Sequence, residues 1–172
     1  GYFLFDHVKV RVETWLDPWA YIDNKGYQIT QSLFAIASGG FFGTGIGLGH
    51  PDVIPEVHTD FIFSAICEEM GIFTGIAIIM LFLILVYRGF KIAFQQEDKF
   101  FRIVAFGISC MFGFQGFIIL GGVIKLIPLT GVTLPFISYG GSSMISSFIA
   151  LGILQVASEE LDIEEGDHGQ RD

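Results

Sequence analysis

The sequence predicts an all-α polytopic membrane protein: a large outer loop with short helices, followed by the last three transmembrane helices of a longer chain. Hydrophobic residues make up 52% of it and charged residues only 16%, against about 25% charged in an average soluble domain. The charges are clustered, so positions 70–87, 103–124 and 126–158 form runs of 18, 22 and 33 residues without Asp, Glu, Lys or Arg. About 20 helical residues cross a hydrocarbon core roughly 30 Å thick.

The first two runs each fit one span. The third is too long for one, and Pro128, Gly131 and Pro135 interrupt its start. Pro135 suits the first turn of a helix, where a missing N–H leaves nothing unpaired. Spans are therefore expected at 61–87, 103–122 and 134–157, with a loop at 121–133. Arg88, Lys91, Lys99 and Arg102, four of the nine basic residues, fall within 88–102. Basic residues near span ends mark the cytoplasmic side. Segments 1–60 and 121–133 are then extracytoplasmic, and the tail 158–172 is cytoplasmic. That tail holds seven of the 18 acidic residues and a single basic one, Arg171, and reads as solvated and disordered. No basic patch exists, which excludes a nucleic-acid partner.

The chain opens on Gly, and 1–5 reads as the end of a preceding span. The expectation is one integral-membrane region across 1–172, cut from a longer protein. Cys67 and Cys110 lie in apolar helical surroundings without a CxxC, so buried free thiols are expected.

The outer segment is rich in signals. Trp15, Trp19, Tyr21 and Tyr27 suit a membrane–water interface. Residues 27–38 carry apolar side chains at 29, 33, 34, 36 and 37, the pattern of a short amphipathic helix near the membrane, ended by Gly39-Gly40. Glycines then recur at 43, 45, 47 and 49, followed by Pro51 and Pro55. This run does not fit GxGxxG, because 48 is Leu and 50 is His, and it lacks GK[ST] and a preceding strand. It reads as a tight ordered loop, not a nucleotide site.

Glu56, His58, Thr59 and Asp60 lead into the first span. They are open to two readings: helix capping, or an ionisable group at the rim of a cavity. Glu68 and Glu69 follow about two turns later. At 100° per residue, Glu68 lies about 80° and Glu69 about 180° round from Asp60, so they do not share one face with it. Carboxylates at a membrane boundary face a cavity or a partner, and a structural role is expected for Glu69. Ser138-Tyr139-Gly140-Gly141-Ser142-Ser143 opens the third span as either a close-packing seam or a substrate contact. Lys125, the one basic residue of the loop 121–133, meets an anionic group or snorkels to the surface.

Three strings together resemble the SEDS family (shape, elongation, division and sporulation proteins of the RodA/FtsW/SpoVE type). They are Pro55-Glu56-x-His58-Thr59-Asp60-Phe61-Ile62-Phe63, then Glu68-Glu69-x-Gly71, then Pro128-x-Thr130-Gly131-x-Thr133-Leu134-Pro135-Phe136-Ile137-Ser138-Tyr139-Gly140-Gly141-Ser142-Ser143. Gly26-Tyr27-Gln28, Gln31-Ser32 and the glycine run resemble that family's large outer loop. The likeness covers about 10–157. Two positions depart from it: Ile119 where many members have Asn, and Lys125 where many have Gly or another small residue.

The resemblance implies about ten spans in the whole protein and residence in the bacterial plasma membrane. It implies an inverting peptidoglycan glycosyltransferase that polymerises lipid II, an undecaprenyl-pyrophosphate-linked disaccharide, for elongation, division or sporulation. It also implies a class B penicillin-binding protein as partner, a divalent cation (magnesium or manganese) at an unknown site, and Asp60 as the catalytic residue. Glu56, His58, Thr59, Gln31, Lys125, Ser138 and Tyr139 are carried over as substrate-binding or orienting residues, and Glu68, Glu69, Ser142 and Ser143 as structural or cavity residues. Arg11 and Lys125 are candidate cations for a departing pyrophosphate. Two rival classes stay open: a flippase or transporter of the lipid-linked precursor, and a non-catalytic scaffold for division or elongation partners. Charged residues at a cavity beside broken helices suit transport as well.

Overall fold

The computed structural model describes residues 6–22, 26–50 and 54–168, with side chains from 8 to 159. The expectation for 1–5 lies outside the described residues. Five α-helices follow in order: α1 (Asp6–Leu16), α2 (Tyr27–Gly39), α3 (Ile62–Gln95), α4 (Lys99–Val123) and α5 (Gly141–His168), with a 3-10 turn at Trp19–Tyr21 between the first two. Three of them are long and apolar enough to cross a membrane: α3, α4 and α5 as far as Glu159.

The helices α3 and α4 form an antiparallel hairpin. Asp98 caps α4, its carboxylate accepting from Phe100 N–H at 2.6 Å and Phe101 N–H at 3.1 Å. Buried Gln96 reaches from the same turn to the carbonyl of Ala157 and ties α5 to the hairpin. Small residues line the α3–α4–α5 seam. Ala93, Ala105 and Ala157 are fully buried, and a Cβ on Gly89 would collide with the Ser109 hydroxyl. In lipid, helices associate through such close packing rather than through burial of oil from water. The outward faces stay apolar and exposed, as a bilayer demands.

Helix α3 is not continuous. Gly71 sits at φ 82°, ψ 169°, outside helical space, so the ladder breaks there. The chain ahead repairs it. Ile72 N–H donates to Gly40 O at 3.0 Å, Thr44 N–H to Glu68 O at 2.9 Å, and Gly45 N–H to Glu69 O at 3.0 Å. The glycine run is therefore a clasp, in which backbone meets backbone around the interruption. A Cβ on Gly43 would strike the carbonyl of Glu69, and one on Gly71 the carbonyl of Phe41. Only glycine permits this approach, and both residues have positive φ. Helix α2 ends into this clasp at Gly39, close to the predicted boundary, and is pinned to α3 by the buried Ser32–Ser64 hydroxyl pair at 2.6 Å.

The structure corrects three expectations. Asp60 lies in a turn that precedes α3, so the 100°-per-residue projection from it to Glu68 and Glu69 does not apply. The third long helix begins at Gly141, not at 134. Pro135 is buried in a preceding turn, where Ile137 N–H and Ser138 N–H both donate to Leu134 O and Phe136 takes φ 66°. That positive φ ends helical winding, so Pro135 never occupies the first turn of α5. Finally, α5 runs on to His168, through a tail expected to be disordered. The stretch 159–165 contains no Gly or Pro and is built of Glu, Leu, Ile and Asp, so nothing stops a helix already nucleated upstream.

Candidate active site

Asp60 is placed by a short turn. Thr59 N–H and Asp60 N–H both donate to Glu56 O, at 3.1 and 3.2 Å, and Phe61 behind it is 1% exposed. Glu56 adopts φ 57°, a conformation uncommon for a side-chain-bearing residue. The loop before α5 locks this turn. Ser138 Oγ donates to Thr59 O at 2.6 Å and accepts from Leu134 N–H at 2.8 Å, while Tyr139 N–H donates to His58 O at 2.8 Å. Residues about 80 apart in sequence thus hold the carboxylate in place.

Asp60 opens into a cleft of about 130 Å³ lined by Val10, Arg11 and Thr14 from α1, Gln28 and Ile29 from α2, and Leu129 and Gly131 from the loop ahead of α5. Arg11 donates from Nη1 to the carbonyls of Leu129 (3.3 Å) and Thr130 (2.8 Å). Trp15 Nε1 donates to Lys125 O at 3.0 Å and anchors the same helix to the same loop. Gly131 has φ 74°, and the place its missing Cβ would take lies 3.3 Å from Asp60 Oδ2 and 3.7 Å from Arg11 Nη2. Carboxylate and guanidinium therefore converge over a glycine. Among the described residues the ion pair formed is Lys9–Glu13, so Asp60 and Arg11 face each other without closing a salt bridge.

Burial, first, and the negative charge of Glu56, second, raise the Asp60 pKa; the Arg11 guanidinium pulls the other way without cancelling them. A carboxylate whose pKa is raised is a better proton acceptor. The site offers a half-buried base opposite a fixed cation, which suits removing a proton from a hydroxyl while negative charge develops nearby.

The predicted residues divide. Glu56, Thr59 and Asp60 share one turn, with Thr59 Oγ1 donating to the Glu56 carbonyl at 3.1 Å. His58 and Tyr139 are exposed beside it and linked through their backbones. Ser138 is buried, with both its hydroxyl bonds spent on the protein. Ser143 Oγ pairs with Thr133 Oγ1 at 2.8 Å, and Ser142 is exposed in the first turn of α5. Gln31 and Lys125 do not line the cleft. Lys125 instead ends α4 at φ 63°, in a hydrogen-bonded reversal: Leu126 N–H donates to Gly121 O at 2.7 Å and Lys125 N–H to Gly122 O at 3.2 Å. Glycine is the usual occupant of that left-handed position. Glu68 belongs to the clasp, 8% exposed, with Oε1 accepting from His50 N–H at 3.1 Å. Glu69 lends its carbonyl to Gly45 N–H.

Sequence reasoning missed Thr14, Gln28, Leu129 and Gly131 as cleft residues. Gln28 was in view beside Gln31 in the string Gly26-Tyr27-Gln28, and helical periodicity alone could not choose between them. For a divalent cation, no group of three or more His, Cys, Asp or Glu among the described residues is arranged to hold one. Asp60 is the one carboxylate of the cleft and Arg11 already supplies positive charge beside it. These residues do not fit a protein-built metal cage.

Fold and site together define a multi-pass, all-helical membrane protein with a broken helix and a carboxylate-bearing cleft next to it. The model of one family, described as cell cycle proteins of the FtsW/RodA/SpoVE type, matches residues 2–163. The chain belongs to that family. It is 52% identical over 154 residues to the peptidoglycan glycosyltransferase RodA of Mycobacterium bovis, covering 90% of this chain and 33% of that protein. It is 49% identical over 146 residues to the probable peptidoglycan glycosyltransferase FtsW of Bacillus subtilis (84% of this chain, 36% of that one). Stage V sporulation protein E of Bacillus subtilis is 44% identical over 146 residues (84% and 40%). A solved chain from work on "structural coordination of polymerization and crosslinking by a peptidoglycan synthase complex" superposes with a TM-score of 0.70 at 32% identity, over 91% of this chain and 43% of that one. The chain thus spans about a third of the length of the RodA proteins it matches.

Proposed function

We propose that the protein containing this chain is a peptidoglycan glycosyltransferase that polymerises lipid II, with Asp60 as the general base. The observation that carries this reading is the cleft itself: a carboxylate of raised pKa, aimed over Gly131 and opposite Arg11. The acceptor sugar hydroxyl gives its proton to Asp60 as its oxygen attacks the anomeric carbon of the donor. The anomeric C–O bond to the lipid pyrophosphate breaks, and that group leaves with the bonding electrons. In-line attack on an α-linked pyrophosphate inverts the centre and yields a β-linkage. Arg11, steadied by the carbonyls of Leu129 and Thr130, stabilises the charge of the departing group. Gln28 and Thr14 supply neutral polar contacts in the same cleft.

Under this reading the cleft is extracytoplasmic, because the connection carrying Arg88, Lys91, Lys99 and Arg102 is the cytoplasmic one. The membrane is the bacterial plasma membrane, and a class B penicillin-binding protein that cross-links the product is the partner. The synthase-complex likeness supports the partner, and the three apolar helices support a membrane setting.

The test is lipid II polymerisation by the purified full-length protein, followed as glycan product on a gel. Wild type makes glycan, and Asp60→Asn stays folded but makes none. A protein that moves lipid II across vesicles yet yields no glycan would be a transporter and would end this reading.

A further inference from the structure

The clasp at the α3 break presents a surface that neither the cleft nor the core uses. Phe41 and Phe42 are 68% and 86% exposed, and Ile46 and Leu48 are 81% and 72% exposed. These side chains sit on one loop, in a stretch, 26–49, without a single Asp, Glu, Lys or Arg. Both phenyl rings lie against Phe73, each with centroids 5.7 Å away. Phe73 is the first large exposed residue of α3 after the break, and Ile76, Met80, Ile84 and Tyr87 continue its exposed stripe down the spanning helix. The loop rings therefore extend the exposed apolar stripe of a helix long and apolar enough to cross a membrane.

Backbone usually forbids a loop at membrane depth, because its polar groups find no water there. Here the clasp meets part of that objection, leaving the N–H groups of Phe41, Phe42, Ile46 and Gly47 outside its hydrogen bonds. Gly40 O, Gly43 N–H, Thr44 N–H, Gly45 N–H and Leu48 N–H are all engaged, with Ile72, Gly39, Glu68, Glu69 and Gly45 respectively. The Thr44 hydroxyl also donates to Glu68 O at 3.1 Å.

We propose that the loop at 40–48 is a membrane-inserted wedge, with Phe41, Phe42, Ile46 and Leu48 seated among the acyl chains of the bilayer alongside Phe73. The occupant of this surface is bilayer lipid, and the inference stands independently of the enzymatic reading. A glycine-rich backbone then has two purposes at one place: it closes the broken α3 and carries apolar side chains into the leaflet.

The test uses full-length protein in vesicles of phosphatidylethanolamine and phosphatidylglycerol, with Cys110→Ala; Cys67 is fully buried. A nitroxide is attached at Phe42→Cys and, separately, at Ile46→Cys. Leu81→Cys on the exposed face of α3 is the lipid control, and His58→Cys the aqueous one. Oxygen is expected to relax both loop labels more strongly than a water-soluble nickel chelate, as at position 81. Preference for the nickel chelate, as at 58, would place the loop in water and overturn the proposal. Labels reached by neither reagent would mean that another protein segment covers the loop, which overturns it equally. Phe42→Trp retains an aromatic ring and gives a second readout. Brominated acyl chains should quench its fluorescence, measured as the difference from wild type, and no added quenching counts against insertion.

Discussion

Asp60 and Glu68 are two carboxylates eight positions apart, and the fold treats them oppositely. Glu68 is buried in the clasp: one oxygen accepts from His50 N–H, the other has no partner among the described residues, and its carbonyl receives Thr44. Asp60 is half-exposed in the cleft, and its pKa is set by burial, Glu56 and Arg11, with no hydrogen bond among the causes. The turn that carries Asp60 is fastened through backbone and through Ser138, which leaves the carboxylate itself free to react. Glu68 is held through its side chain, whereas Asp60 is held through its backbone and its neighbours.

The largest effect that sharpens this comparison is loss of the reactive acid. Asp60→Asn should lower lipid II polymerisation by about 10²–10⁴-fold, the usual consequence of losing a general base. It should not lower thermal stability. A carboxylate whose folded pKa is raised stabilises the fold below its unfolded pKa, and that contribution is lost as pH rises through the folded pKa. At neutral pH, removing the charge therefore carries no stability penalty. A lowered melting temperature would assign Asp60 to the structural class.

On the structural side, Gly43→Ala should destabilise the protein by about 2–5 kcal/mol, from left-handed strain plus collision with the Glu69 carbonyl. Chemical denaturation in detergent measures it, and an unchanged midpoint would refute the clasp. Glu68→Leu strips the acceptor from His50 N–H and should destabilise by about 1–3 kcal/mol. The smallest effect has the opposite sign. Lys125→Gly relieves the left-handed position after α4 and should stabilise by about 1 kcal/mol, a rise in the same denaturation midpoint.

Much of the membrane architecture was legible because charge-free runs and helix length answer to one physical constraint, the thickness of hydrocarbon. Helices α3 and α4 contain the two spans expected first. Asp60 was legible through its motif, but its cleft was not. Arg11, Thr14, Gln28, Leu129 and Gly131 come from three separate segments, and no local periodicity reports that they meet. The start of α5 was misread because a favourable proline says nothing about a positive φ one residue later, at Phe136. The wheel from Asp60 fails because Asp60 sits in a turn ahead of α3, outside the helix that carries Glu68 and Glu69. Lys125 was singled out for its charge, while its actual distinction is a backbone conformation that prefers glycine.

The account rests most directly on the ionisation of Asp60, and the pH dependence of lipid II polymerisation by wild type and Glu56→Gln tests it. Glu56 raises the Asp60 pKa, so the acid limb of the wild-type profile should lie above the ordinary aspartate value of about 4 and move to lower pH in Glu56→Gln. An acid limb that is absent, or unmoved when Glu56 loses its charge, would contradict the assignment of Asp60 as the base.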